Sequence, residues 1–270
     1  MDPASIWGNR WLNSNQPIAK KYMETVCKKQ SLVVLAADKN TMEELNKLVD
    51  DVGDYISALK THVDLIDDWT KESWGKFISK AKEKDLLIFE DRKHGDIGKI
   101  ARDQMGGIYD SKSWADLITA HLISGPSILD GMQEAWDSVN KEGGVLLLAQ
   151  MSSEGNLLEL PGYTDSVVKI GKKHPICFGF IGNGSNHEEI IQLRRLVGEE
   201  KMIWTPGVNL NSNDAELGQR YGDPEKAILS GSDAIIIGSG IHKSSNPSEM
   251  ALKYAKISWD ALIKRSVNSD

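Results

Sequence analysis

Eight short apolar runs, separated by amphipathic stretches, set the rhythm of the chain. They are LVVLAAD (32–38), YISALKTH (55–62), LLIFEDRK (86–93), ADLITAH (115–121), VLLLAQMS (145–152), ICFGFIGN (176–183), MIWTPG (202–207) and AIIIGSG (234–240). Their cores are apolar throughout rather than alternating, the mark of strands buried on both faces in a parallel sheet covered by helices. Between them, segments such as TMEELNKLVDDV, TKESWGKFISKAKEK and ILDGMQEAWDSVNKE repeat their apolar positions with a helical period. The last helix has a clear start signal, with Asn246 as cap, Pro247 at the first position and Glu249 three residues after the cap. Eight strand–helix units predict an α/β fold, a single-domain (β/α)8 TIM barrel over 18–265. Residues 1–17 read as a loose N-terminal extension and 266–270 as a C-terminal tail.

Composition narrows the picture. The 270 residues suit one barrel, which commonly uses roughly 250. A net charge of -7 argues against a nucleic-acid partner, which calls for a basic face. No run approaches the ~18 apolar residues of a membrane span. The start, MDPASIWGNRWLNSNQP, lacks an apolar signal core. Cys27 and Cys177 have no metal or redox spacing, so a reduced, cytoplasmic setting is expected. The histidines at 62, 94, 121, 174, 187 and 242 show no ligand spacing either, and no metal is expected.

The chemistry lies in where polar groups fall. Asp38, Lys60, Asp91, Lys93, Ser152 and Asn183 stand at or just beyond the C-terminal ends of their strands, the rim on which this fold builds active sites. Solvation alone makes strand ends polar, but it does not account for Lys60, Asp91 and Lys93 together on neighbouring strands. Residues two apart in a strand project to the same side, so Asp91 and Lys93 point together and Lys60 reaches them. Alternating charges stay paired, which makes their burial tolerable. Such an array can aim an ammonium at a developing carbanion and set a carboxylate against a substrate carboxylate, favouring its loss. The alternative is an ion-pair network that only fixes the barrel mouth.

The blocks KTHVDLI, LLIFEDRKHGDIG, WADLITAH, TPGV, LGQRY and GSDAIII stand in an order that resembles the orotidine 5'-phosphate decarboxylase family in its eukaryotic form. The resemblance runs from about Gln16 to Arg265. It implies a homodimeric barrel that converts orotidine 5'-phosphate to UMP without a cofactor. By position, it gives Lys60, Asp91 and Lys93 the catalytic array, with Lys93 as proton donor to C6 and Asp91 beside the departing carboxylate. Asp96 matches an aspartate donated across the dimer interface. Asp38 matches a ribose ligand and Ser152 the reader of the pyrimidine edge, with Pro206 of TPGV also on the substrate. Gln219 and Tyr221 match side chains of a closing loop that hold the phosphate, together with Gly238, Ser239 and Gly240. His62 beside Lys60 matches a support residue.

The chain departs from the family pattern at several points. The family's phosphate-binding arginine is replaced by Ser239, which supplies no charge. His94 and Gly95 replace an aromatic residue and an alanine, His94 reading either as a surface or interface residue or as a polar group near the site. Ile100 replaces a ribose-contacting threonine, and GNGSNHEEI (182–190) is unlike the family. Arg220 and Lys243 read either as simply solvated charges or as a replacement for the lost one. Three readings stay open: decarboxylation of orotidine 5'-phosphate, decarboxylation of a related pyrimidine substrate lacking the 5'-phosphate, and non-catalytic nucleotide binding.

Overall fold

A computed structural model describes residues 1–210 and 221–267. Its eight strands are β1 (Val33–Ala36), β2 (Ala58–Thr61), β3 (Leu87–His94) and β4 (Leu117–Ala120), then β5 (Gly144–Leu148), β6 (Cys177–Ile181), β7 (Met202–Thr205) and β8 (Ala234–Ile237). All pair in parallel with their sequence neighbours, and β8 pairs with β1 to close the barrel. Every expected strand is present, mostly shortened at its C-terminal end. Asp38 and Ser152, just past the ends of β1 and β5, line the cavity at the barrel mouth.

Helices follow the expected segments. Met42–Val52 is capped by Thr41, whose hydroxyl accepts from the Glu44 amide, and Lys71–Glu83 carries a reciprocal cap between Thr70 and Ser73. The long helix Pro247–Val267 begins as its start signal requires, with the Glu249 amide donating to Asn246 and the Asn246 amide group donating back to Glu249. Helices Gly98–Met105 and Ser127–Asp137 cross at Gly98 and Gly131. A Cβ at Gly131 would lie 2.0 Å from the Gly98 carbonyl oxygen, so the backbones meet where any side chain would separate them.

Beneath the mouth, aromatic rings fill the barrel. Trp204 packs edge-on against Phe89 and Phe178, with centroids 5.5 and 5.4 Å away, and against Tyr22 of helix Pro17–Lys29 at 4.9 Å. The segment before Ile18, expected as a loose extension, is instead seated on the barrel. It forms two short helices, Pro3–Trp7 and Asn9–Asn13, with Trp7 buried. Arg10 pairs with Asp233, a fully buried carboxylate that also meets Arg194 and Arg265. Burial opposes the Asp233 charge, yet the guanidinium groups hold its carboxyl far below the usual range. Single anchors with partners distant in sequence leave no periodic signal, which is why this docking was not legible.

Candidate active site

The array forms at the ends of β1, β2 and β3. Lys60 Nζ lies 3.2 Å from Asp38 Oδ1 and 3.4 Å from Asp91 Oδ2, while Lys93 Nζ lies 2.8 Å from Asp91 Oδ1. Lys60 Nζ is also 2.8 Å from His62 Nε2. An ammonium can only donate, so Nε2 accepts and His62 carries its proton on Nδ1. Burial, then the Lys60 charge, push the His62 pKa down, which agrees with a neutral ring. Burial works against the Lys60 ammonium, but Asp91 and Asp38 outweigh it and raise its pKa. Burial likewise opposes the Asp91 charge, and Lys60 and Lys93 overcome it, keeping the carboxyl ionised. The charges are mutually sustained.

The geometry depends on a distortion that strand periodicity does not foresee. Pairing of β3 with β4 passes from Glu90 opposite Ile118 to His94 opposite Ala120, so the intervening residues of β3 bulge. Lys93 sits at φ +55°, a left-handed conformation uncommon for a residue with a side chain. The bulge seats on Thr119 of β4, whose hydroxyl donates to Asp91 Oδ1 at 2.9 Å and accepts from the Lys93 amide at 2.9 Å. Thr119 escaped the sequence reading. Its signal was a polar residue inside the otherwise apolar LITA.

These groups line one end of a cavity of about 530 Å³ at the barrel mouth. Phe89, Leu148, Ile181, Ile236 and Val208 supply apolar walls, a surface suited to the faces of a flat ring. The structure brings Ser152, Pro206, Tyr221, Gly238, Ser239 and Gly240 to the same cavity. His242 and Lys243, on the short turn of helix after β8, line it as well. A larger groove of about 830 Å³ faces the segments that precede β5, β6 and β7, at the barrel end opposite the array.

Other residues fall elsewhere. Asp96 is exposed, outside this cavity, and accepts from the Ile97 amide at 2.7 Å. It lines an adjoining hollow of about 420 Å³ with Asp64, Arg92, Lys93 and His94. Gln219 and Arg220 lie outside the described residues. Asn183 does not line the cavity: its side chain is buried in the following turn, donating to Glu189 and accepting from Ser185. His94 is not a surface residue but buried, with Nδ1 3.0 Å from Gln104 Oε1, and burial lowers its pKa. Among the described residues, ligating atoms of His62, Asp64 and Glu90 lie within 4.8 Å of one another. Each already has a partner: Lys60 on His62, Arg92 on Asp64, Thr61 and Val63 on Glu90. The group is a hydrogen-bonded cluster rather than an open metal cage.

A model of the orotidine 5'-phosphate decarboxylase / HUMPS family matches residues 31–254. The chain is 37% identical over 258 residues to the orotidine 5'-phosphate decarboxylase of Cyberlindnera jadinii, covering 92% of this chain and 93% of that protein. It is 37% identical over 257 residues to the uridine 5'-monophosphate synthase of Bos taurus, covering 94% of this chain and 51% of that one. The crystal structure of orotidine 5'-phosphate decarboxylase from Pyrococcus horikoshii OT3 superposes with a TM-score of 0.65 at 25% identity, over 84% of this chain and 98% of that chain.

Proposed function

Because the chain belongs to the orotidine 5'-phosphate decarboxylase / HUMPS family, we propose that it is a carboxy-lyase converting orotidine 5'-phosphate to UMP without a cofactor. The observation that carries this reading is the Lys60–Asp91–Lys93 array, closed within 3.4 Å at the charged end of an apolar-walled cavity. The pyrimidine lies between the apolar walls with its edge toward Ser152 and Pro206. Asp38 and Lys60 hold the ribose. Asp91 faces the substrate carboxylate, which is driven out as carbon dioxide when the C6–carboxylate bond breaks. The electron pair left on C6 takes a proton from Lys93 Nζ and keeps it as the C6–H bond, and solvent supplies a new proton to the neutral lysine. Ammonium groups already in place around the developing charge need no reorganisation during the step. Asp96 serves the neighbouring subunit's site in a homodimer, which suits its exposed place beside the array.

The phosphate lies at the Gly238–Gly240 end with Tyr221; the expected contact from Gln219 lies outside the described residues. Ser239 brings no charge there, and Lys243, lining the same cavity, supplies it instead. Ser239 also favours a second reading, a pyrimidine nucleoside substrate without phosphate. Release of carbon dioxide from orotate, orotidine and orotidine 5'-phosphate decides between them. Turnover confined to the phosphorylated compound supports the first reading, equal turnover of orotidine the second, and no turnover of any of them removes both.

A further inference from the structure

Glu90 stands one residue before Asp91 on β3, yet it does not line the cavity. Phe89 and Asp91 do so on either side of it. Its carboxyl group is fully buried in the barrel wall, opposite Thr61 of β2 in the strand register. Glu90 Oε2 lies 2.7 Å from Thr61 Oγ1, and Oε1 accepts from the Val63 amide at 3.2 Å. Thr61 and Val63 flank His62, whose Nε2 meets Lys60 Nζ at 2.8 Å and lies 3.6 Å from Asp91 Oδ2. One buried side chain therefore holds both neighbours of the residue that backs Lys60.

We propose that Glu90 is a positioning residue for the reaction, fixing the exit of β2 so that His62 holds Lys60 against Asp91. The inference rests on the decarboxylase reading of that array. The Thr61 hydroxyl donates to Oε2, and the Val63 amide lies 3.2 Å from Oε1 and 3.3 Å from Oε2, donating between them. Burial pushes the Glu90 pKa up to about 8, against the lowering pull of Thr61 and Val63. The charged groups around it are Asp64 and Lys60 from the β2 side, with His62 between them, and Asp91 and Arg92 on its own strand. β4 presents Ile118 opposite it, and helix Lys71–Glu83 packs against β3 with Trp74, Phe77 and Ile78 buried. Ionisation above pH 8 adds a negative charge beside Asp91 and within reach of Lys60, disturbing the charge balance in which His62 holds Lys60.

Glu90→Gln tests this directly, because its amide keeps the size and the hydrogen-bonding capacity toward Thr61 and Val63 but cannot ionise. Wild-type kcat for orotidine 5'-phosphate should fall on the alkaline side with a midpoint near 8, whereas Glu90→Gln keeps the wild-type plateau and lacks that limb. Glu90→Leu removes the acceptor of the Val63 amide and the shorter of the two contacts of the Thr61 hydroxyl, and should lower kcat about 10- to 100-fold with KM little changed. A Glu90→Leu protein with wild-type kcat overturns the proposal. So does a Glu90→Gln profile retaining the wild-type limb, which decides the matter even if the leucine variant fails to fold. An activity-independent readout separates this failure from failure of the decarboxylase reading. The His62 ring resonances should show an inflection near pH 8 in the wild type and none in Glu90→Gln. Its persistence in the variant sinks the proposal whatever the enzyme turns over.

Discussion

At the scale of single residues, Lys93 is held by Asp91 through its ammonium and by Thr119 through its amide. If Lys93 is the proton source, Lys93→Ala removes it while leaving the Thr119 anchor, which binds backbone. Turnover should fall by the ~10²–10⁴ typical of general acid–base groups, with the folded barrel retained by circular dichroism. Residual activity within about tenfold of wild type is well short of that range and would show that another group delivers the proton. The phosphate charge is a second question at this scale. A charge-assisted hydrogen bond contributes roughly 1.5–3 kcal/mol net, or about one to two powers of ten in rate. Lys243→Ala should therefore reduce kcat/KM for orotidine 5'-phosphate by about that factor and leave orotidine unaffected. Ser239→Arg in the same background should restore it. If Lys243→Ala is silent toward both compounds, Lys243 is not the phosphate cation.

At the scale of elements, the site depends on β3 bulging and on the helix after it lying close to its neighbour. Helix Gly98–Met105 starts two residues after Asp96 and meets helix Ser127–Asp137 backbone to backbone at Gly98 and Gly131. Gly131→Ala must push the two helices apart, and overpacking of this kind typically costs about 1–3 kcal/mol. The same substitution at Gly75, in the middle of helix Lys71–Glu83, meets nothing within 4 Å. There it should stabilise by roughly 0.5–1 kcal/mol, since alanine loses less backbone freedom than glycine on folding. Thermal unfolding of the two variants should thus move in opposite directions. A shared direction would mean that the crossing at Gly131 relaxes freely. Helix breaking by glycine is hence tolerated at Gly131 for a packing reason that Gly75 lacks.

At the scale of the whole molecule, the barrel presents a complete own-chain array but leaves Asp96 outside the cavity. If Asp96 completes a partner's site, two inactive proteins, Lys93→Ala and Asp96→Ala, should regain activity on mixing. One of the two mixed sites then has both residues intact, so recovery approaches about one quarter of wild-type activity per subunit when exchange is statistical, since half the dimers are mixed. No recovery after verified subunit exchange would place Asp96 in its own subunit's site or outside the chemistry. The opposite end of the barrel carries a separate ion-pair cluster. There Asp233 gathers guanidinium groups from the N-terminal segment, from helix His187–Val197 and from the last helix, tying chain ends to the barrel floor.

The eight strands were legible because burial on both faces writes itself into contiguous residues, and a barrel repeats that signal at each strand. The association of Lys60, Asp91 and Lys93 was legible for a related reason, since period-two projection and strand adjacency are local rules. Tertiary structure alone decided the rest. That Lys93 takes a positive φ over Thr119 depends on the register between β3 and β4, which no property of either segment states. His94 and Glu90 read as ordinary polar positions until neighbouring elements close over them, because burial belongs to the assembly and not to the residue. Arg10 finds Asp233 across more than two hundred residues, a pairing that local pattern cannot carry. Periodicity reports which face of an element turns inward. Only the packed barrel determines what each inward or outward group meets there.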